Sequence, residues 1–241
     1  MKFIYAFCCL FFIHMLSAQP MVEGVIEYEM KMNMHRQLPK DRPELRQMMP
    51  EYQTMNKELL FNRNASIFKD IVDDMASGGG GRGFRFRLGS TELYIDLVEG
   101  RKLESSDLFG DVYLIDDELP ILPWKLRGEM KTINGMVCQL AYYESAEDST
   151  YVEAWFTPDI PLGIGPDMVR GLPGAVLEAD VNFGEKIYTA KSIKRKEIKE
   201  KDLKAPSKGQ KVDQATYDAV LKEKTEAMRA RFGGGGGRRG G

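Results

Sequence analysis

Histidine and cysteine are scarce in this chain of 241 residues, with two of the former and three of the latter. Cys8, Cys9 and His14 all fall within the first eighteen positions. The rest of the chain holds only Cys138 and His35, so it can form no intramolecular disulfide. Any histidine-based zinc site or Ser-His-Asp triad would rest on His35 alone. No G-x-S-x-G nucleophile motif and no P-loop occur, and "GIGPDM" lacks the third glycine of a dinucleotide fingerprint and carries a proline inside it. An excess of one charge sign is also missing. Lys and Arg number 34 against 36 Asp and Glu, a net charge of −2, so no global field draws the chain to nucleic acid or to an anionic surface. Hydrolase and metalloenzyme readings lose their usual residues, and we expect a non-enzymatic protein with no nucleic-acid partner.

What is present begins with "MKFIYAFCCLFFIHMLSAQP". Lys2 precedes an apolar run from Phe3 to Leu16, and small Ser17 and Ala18 precede Gln19. That is the layout of a secretory signal peptide cleaved after Ala18. The run is shorter than the ~20 apolar residues of a membrane span, so the mature chain is expected to lack a transmembrane segment. The expected location is the periplasm, the outer membrane surface or the extracellular space.

Beyond residue 18, apolar and polar residues alternate at period two, the mark of strands with one buried face. Ile26, Tyr28, Met30, Met32 and Met34 alternate with Glu27, Glu29, Lys31 and Asn33. Phe84, Phe86 and Leu88 alternate with Arg85 and Arg87. Trp124, Leu126 and Met130 alternate with Lys125, Arg127, Glu129 and Lys131. Turn residues separate these segments, which predicts an antiparallel, β-dominated domain. The segment after Lys131 reads "TINGMVCQLAYY". A two-residue Asn134-Gly135 turn would pair Met130 with Gln139, mixing apolar and polar residues on a face. A three-residue loop, Ile133-Asn134-Gly135, pairs Met130 with Cys138 and Leu126 with Tyr142, and this register is expected because it gives one apolar side. Gly135 is expected in the left-handed conformation. Cys138 could be a reactive thiol, but between Met136 and Leu140 it is expected to be buried and inert.

Helices are predicted at Pro43 to Met55 and, more strongly, from Asp213 to Phe232. In the second, Asp213 caps the start and Tyr217, Val220, Leu221 and Met228 form a stripe. Lys194 to Lys211 reads as a strand end running into a solvated linker. "SGGGGRG" at 77–83 and "GGGGGRRGG" at the C-terminus could bind RNA inside a cell, but Gly-rich composition favours a flexible loop and tail. The chain thus divides into a signal peptide at 1–18, a β-rich domain at 19–205, a linker and helix at 206–232, and a disordered Gly/Arg tail at 233–241. The expected fold is mainly β (β-rich α+β): a strongly curved antiparallel sheet or half-barrel with a C-terminal helix.

Two kinds of local pattern bear on chemistry. "MKMNMH" places Met30, Met32 and Met34 on one strand face, ending in His35. Thioethers suit Cu(I), and Met-x-Met with a histidine is a soft-metal ligand pattern. The same methionines also continue the buried face begun by Ile26 and Tyr28, and methionine fills cores well. The core reading is preferred, with Met34 and His35 expected at the surface because the alternation breaks there. The carboxylate pairs Asp73-Asp74, Asp116-Asp117 and Glu147-Asp148 are expected in solvated turns.

Prolines and glycines crowd "FTPDIPLGIGPDMVRGLPG", which fixes a defined path rather than a phosphate cradle. A strand is predicted to start at Ala175, with Leu177, Ala179, Val181 and Phe183 on its apolar face. "LPWKL", "KTINGMVCQLA", "VEAWFTPDIPLGIGP" and "GLPGAVLEAD" follow one another in this order. In that combination the chain resembles the GLPGLI family of exported Bacteroidetes proteins, with Ala175-Val176 in place of Leu-Ile. The pattern falls on Trp124, Lys125, Leu126, Gly135, Cys138, Trp155, Pro158, Pro161, Gly165, Pro166, Gly171, Leu172, Pro173 and Gly174, to which a structural role is given. The resemblance implies an envelope or secreted location and brings no catalytic residue. The functional expectation is an exported binding protein for an apolar or peptide ligand or a partner protein. The alternative is soft-metal binding, with copper at Met30, Met32, Met34 and His35.

Overall fold

The structure is a computed structural model that describes residues 19–36, 38, 44–71, 92–146 and 149–233, with side chains described up to residue 227. Expectations for residues 1–18, 77–83 and 234–241, for Phe84, Phe86 and Leu88, and for the pairs Asp73-Asp74 and Glu147-Asp148 lie outside the described residues.

Among the described residues, twelve strands form one open sheet. They are β1 (Gly24–Asn33), β2 (Tyr52–Phe61), β3 (Ala65–Asp70), β4 (Glu92–Asp96), β5 (Arg101–Leu108), β6 (Asp111–Glu118), β7 (Lys125–Ile133), β8 (Met136–Ser145), β9 (Thr150–Thr157), β10 (Ala175–Val181), β11 (Lys186–Lys194) and β12 (Gln210–Val212). Among the described residues two α-helices accompany them, the short α1 (Glu44–Met48) and the C-terminal α2 (Gln214–Gly233). Strands β2 to β6 run out from one side of β1 as a meander, and β11 back to β7 run out from the other. Every ladder is antiparallel except β12 on β6.

The sheet is strongly curved, as its own contacts require. Glu104 on β5 and Lys186 on β11 are five strand positions apart. At about 4.8 Å per strand a flat sheet would separate them by about 24 Å, yet both line one cleft. Only a concave sheet brings them together.

The inward face of β1 holds Ile26, Tyr28, Met30 and Met32, and the main core gathers around it. The Pro/Gly segment between β9 and β10 contributes Ile160, Ile164, Val169 and Leu172 to that core. A second, smaller cluster on the outward face joins Val25, Leu60 and Ile67 to Ile198 and Leu203. These last two come from the stretch read as solvated linker, which instead packs a 3-10 turn at Glu200–Leu203 and adds the edge strand β12. Its apolar residues are spaced too sparsely among lysines to show a period.

The predicted helix at 43–55 is shorter than expected. It ends at Met48, and Tyr52 already belongs to β2 because residues 52–61 complete the ladder with β1. Tertiary pairing overrides the local helical spacing. α2 starts where expected, with the Asp213 carboxylate accepting the Thr216 N–H at 2.7 Å.

The β7–β8 register differs from the expectation. Asn134 and Gly135 have φ of 50° and 81°, and they form a two-residue turn that pairs Met130 with Gln139 and Lys131 with Cys138. Gly135 is left-handed, as expected. Arg127, Gly128 and Glu129 then bulge opposite Leu140, and pairing resumes at Leu126 with Ala141. β7 is an edge strand, so Leu126 and Met130 stay 55% and 57% exposed and burial exerts no control on its register. Turn chemistry decides instead. Lys131 gains from the outcome: its ammonium lies 2.5 Å from Glu178 and 4.3 Å from the Trp155 ring centroid.

Candidate functional site

The Pro/Gly segment is held by backbone bonds and by exclusion of side chains. Ala175 N–H donates to the Ile160 carbonyl at 3.0 Å, and Val176 N–H to the Ile164 carbonyl at 2.9 Å. A Cβ on Gly174 would lie 2.1 Å from the Thr157 carbonyl oxygen, and one on Gly165 would lie 2.0 Å from that of Val169. Both positions need glycine because backbone passes over them. The Trp124 indole N–H donates to the Arg170 carbonyl at 2.8 Å, and its ring meets Tyr143 edge-on at 4.7 Å. β10 starts at Ala175 as expected, but Phe183 leaves the apolar face. It sits in the β10–β11 turn with φ 55°, 71% exposed, and stacks on Tyr151 at 4.6 Å.

The same segment sends Asp167 to the concave side, where a cleft of about 340 Å³ opens. Its floor comes from inward-facing residues of β1 to β4 and β11: Met30, Met32, Met55, Phe68, Leu93 and Tyr188. Tyr217 and Leu221 of α2 stand at its other wall. Contacts that hold α2 there include a hydrogen bond shared by Tyr217 Oη and Ser106 Oγ at 2.7 Å, edge-on packing of the Tyr217 ring against Tyr113, and donation from Lys102 Nζ to Gln214 Oε1 at 2.5 Å. A hollow of equal size beside Asp218, Leu221 and Lys222 is lined by α2 alone, so a single helix face cannot enclose a ligand there.

Charges of both signs rim the cleft. Lys57 is buried, lies 2.5 Å from Asp70 and sits over the Phe68 ring at 5.9 Å. Asp167 accepts the Tyr188 hydroxyl at 2.9 Å and faces Lys186 at 3.6 Å. Burial pushes the Tyr188 phenol well above its usual range, and neighbouring Asp167 adds to that. Glu104 is 3.5 Å from Lys102. Burial raises its carboxyl above the ordinary value, Lys102 opposes the shift, and Asp167 adds to it. Asp167 itself has φ 54°, a conformation rare for a residue with a Cβ and worth noting beside a candidate site.

The residues singled out from sequence divide between this cleft and the framework. Met30 and Met32 reach the cleft floor. Met34 does not reach the surface as expected: it lies in a 3-10 turn, 7% exposed, and packs into the core. His35 is half-buried, with Nε2 2.9 Å from the Met49 carbonyl oxygen. The Asp116-Asp117 pair is not a solvated turn. Asp116 lies in β6 between Arg101 at 2.5 Å and Lys211 at 2.6 Å, and Asp117 accepts the Gln214 N–H at the start of α2. Cys138 is fully buried, and burial pushes its thiol up to about 11. Among the described residues, no cluster of three or more His, Cys, Asp or Glu could hold a metal ion, and no described helix is long and apolar enough to cross a membrane.

Sequence reasoning missed Lys57, Phe68, Glu104, Asp167 and Tyr188. A signal existed for one of them. Met55, Lys57, Leu59 and Phe61 share the inward parity of β2, and a lysine inside an apolar stripe calls for a buried partner. "RKLESSDL" on β5 is polar on both faces and gives no such cue.

A family model described as "Protein of unknown function (Porph_ging)" matches residues 142–178, which carry the C-terminal end of β8, all of β9, the Pro/Gly segment and the start of β10. No curated protein matches the chain. Crystal structures of PNGF-II in space groups C2 and P21 superpose with a TM-score of 0.55 each at 15% identity. The alignments cover 83% and 84% of this chain and 33% of PNGF-II. The chain therefore spans about a third of PNGF-II, and at this identity the likeness is one of fold.

Proposed function

We propose that this chain is a non-enzymatic binding protein of the cell envelope, and that the concave cleft takes an apolar or peptide ligand. One observation carries the reading. A cleft of about 340 Å³ has a floor of methionine, leucine and aromatic side chains and a charged rim, the make-up of a ligand pocket at the small end of the usual size range. Methionine-rich floors adapt to irregular apolar guests.

The carboxylates of the rim are already engaged. Asp70 is held by Lys57, Asp167 by Tyr188 and Lys186, Glu104 by Lys102, and Asp107 by the Gly110 N–H. That arrangement favours holding a ligand over proton transfer to one. Export rests on the N-terminal segment, and membership of the GLPGLI family rests on the ordered motifs from Leu122 to Asp180. The contact of Trp124 with the Arg170 carbonyl gives those motifs a shared structural purpose, since it ties "LPWKL" to the residue preceding "GLPG".

The test is binding of N-phenylnaphthylamine, whose fluorescence rises in apolar surroundings. Wild type is expected to bind it saturably, and Met55→Trp, which fills the floor, is expected to abolish the signal while retaining the wild-type circular dichroism. Undiminished binding by a folded Met55→Trp would place the site elsewhere and overturn the reading.

A further inference from the structure

We propose that Met30, Met32 and Met55 form a site for a soft monovalent metal ion, Cu(I), on the floor of the cleft. The inference does not depend on the apolar ligand proposed above, because it rests on strand register. Met30 and Met55 are direct cross-strand partners in the β1–β2 ladder, and such residues share a face with Cβ atoms about 5 Å apart. Met32 is the next residue of the same face, about 6.6 Å along β1 at Cα. All three side chains line the same cleft. Two torsions of the unbranched methionine side chain place its sulfur and a third turns the methyl and the lone pairs, so thioethers starting at these separations can converge on one ion.

The ligand set selects the ion. Neutral thioethers suit Cu(I), while zinc, calcium and magnesium take imidazole, thiolate or oxygen donors. Met30 is flanked on its other side by Tyr188, and Phe68 meets Tyr188 edge-on at 6.3 Å. These rings shield the floor from water, which disfavours hard, strongly hydrated cations. Lys57 is the nearest positive charge on β2, and Asp70 neutralises it at 2.5 Å. Met55 replaces Met34 and His35 in the ligand set expected from sequence. Neither of those two lines the cleft, and the strand pairing that brings Met55 opposite Met30 joins residues 25 positions apart.

Silver(I), a redox-stable analogue of Cu(I), is the probe, titrated calorimetrically into the full chain with Cys8→Ser and Cys9→Ser so that those thiols do not compete. One equivalent is expected to bind. Met30→Leu/Met55→Leu should lower the affinity by more than the roughly tenfold that even an outer-sphere change costs. Met→Leu is close to volume-conserving, so this variant should keep its fold. Met48→Leu, at a position 79% exposed, should bind like the parent. Absence of binding, equal affinity in the double variant, or an equal loss in Met48→Leu would each overturn the proposal.

Discussion

The Trp124 indole N–H donates to the Arg170 carbonyl at 2.8 Å across 46 residues of sequence. One side of the contact lies just before β7 and the other just before "GLPG", so the bond locks the Pro/Gly segment to the edge of the sheet. Trp124→Phe keeps an aromatic partner for Tyr143 but leaves the carbonyl without its donor. A loss of about 1–3 kcal/mol is expected. Urea unfolding checks it, as a lower midpoint with an unchanged slope.

Two glycines of the motif should respond differently to alanine. At Gly174 the added Cβ meets the Thr157 carbonyl oxygen at 2.1 Å, and backbone cannot step aside as a side chain can. Gly174→Ala is expected to cost at least about 3 kcal/mol, at or above the upper end of ordinary overpacking. At Gly171 the space is open but φ is +84°, so Gly171→Ala should cost only about 1–2 kcal/mol. Thermal or urea denaturation of the two variants measures the ranking, and equal effects would contradict the account.

Legibility from sequence followed the range of the interactions. The inward face of β1 was readable because alternation is local, and Ile26, Tyr28, Met30 and Met32 are all buried. The start of β10 and the Asp213 cap of α2 were readable for the same reason. Curvature was predicted as part of the fold class, but its consequence was not. Lys57, Glu104, Asp167 and Tyr188 meet only because β5 and β11 curl toward each other, and no spacing in the chain encodes that. The β7–β8 register is not legible from the apolar pattern, because the sheet order places β7 at an edge, where turn chemistry outweighs burial.

Glu104 predicts a pH dependence of opposite sign to that of a salt-bridged carboxylate. Burial raises its folded-state pKa above the ordinary value of 4.5, so the folded chain holds the proton more tightly than the unfolded one. Its contribution to stability is therefore most favourable below 4.5 and declines as pH rises through the raised value. Asp116 runs the other way. Its hydrogen bond to Lys211 is the largest cause of a pKa below the usual 3.8, helped by Arg101, so its contribution is lost as pH falls. In stability-versus-pH curves, Glu104→Gln should remove a downward slope just above pH 4.5 that wild type shows. Parallel curves would refute this assignment.

Cys138 should be silent to thiol reagents. Burial pushes its pKa up to about 11, and its side chain is fully buried, so neither thiolate nor access is provided at neutral pH. In the full chain with Cys8→Ser and Cys9→Ser, dithiobis-nitrobenzoate is expected to label no thiol in buffer and one in urea. Prompt labelling of the native chain would contradict the packing around β8.

The central claim is that the concave cleft is the binding site, and methyl NMR of methionine-labelled protein tests it most directly. Titration with N-phenylnaphthylamine should shift the methyl resonances of Met30, Met32 and Met55, which line the cleft, and leave that of exposed Met48 in place. Shifts confined to Met48, or no shift at the three cleft methionines under saturating probe, would contradict it.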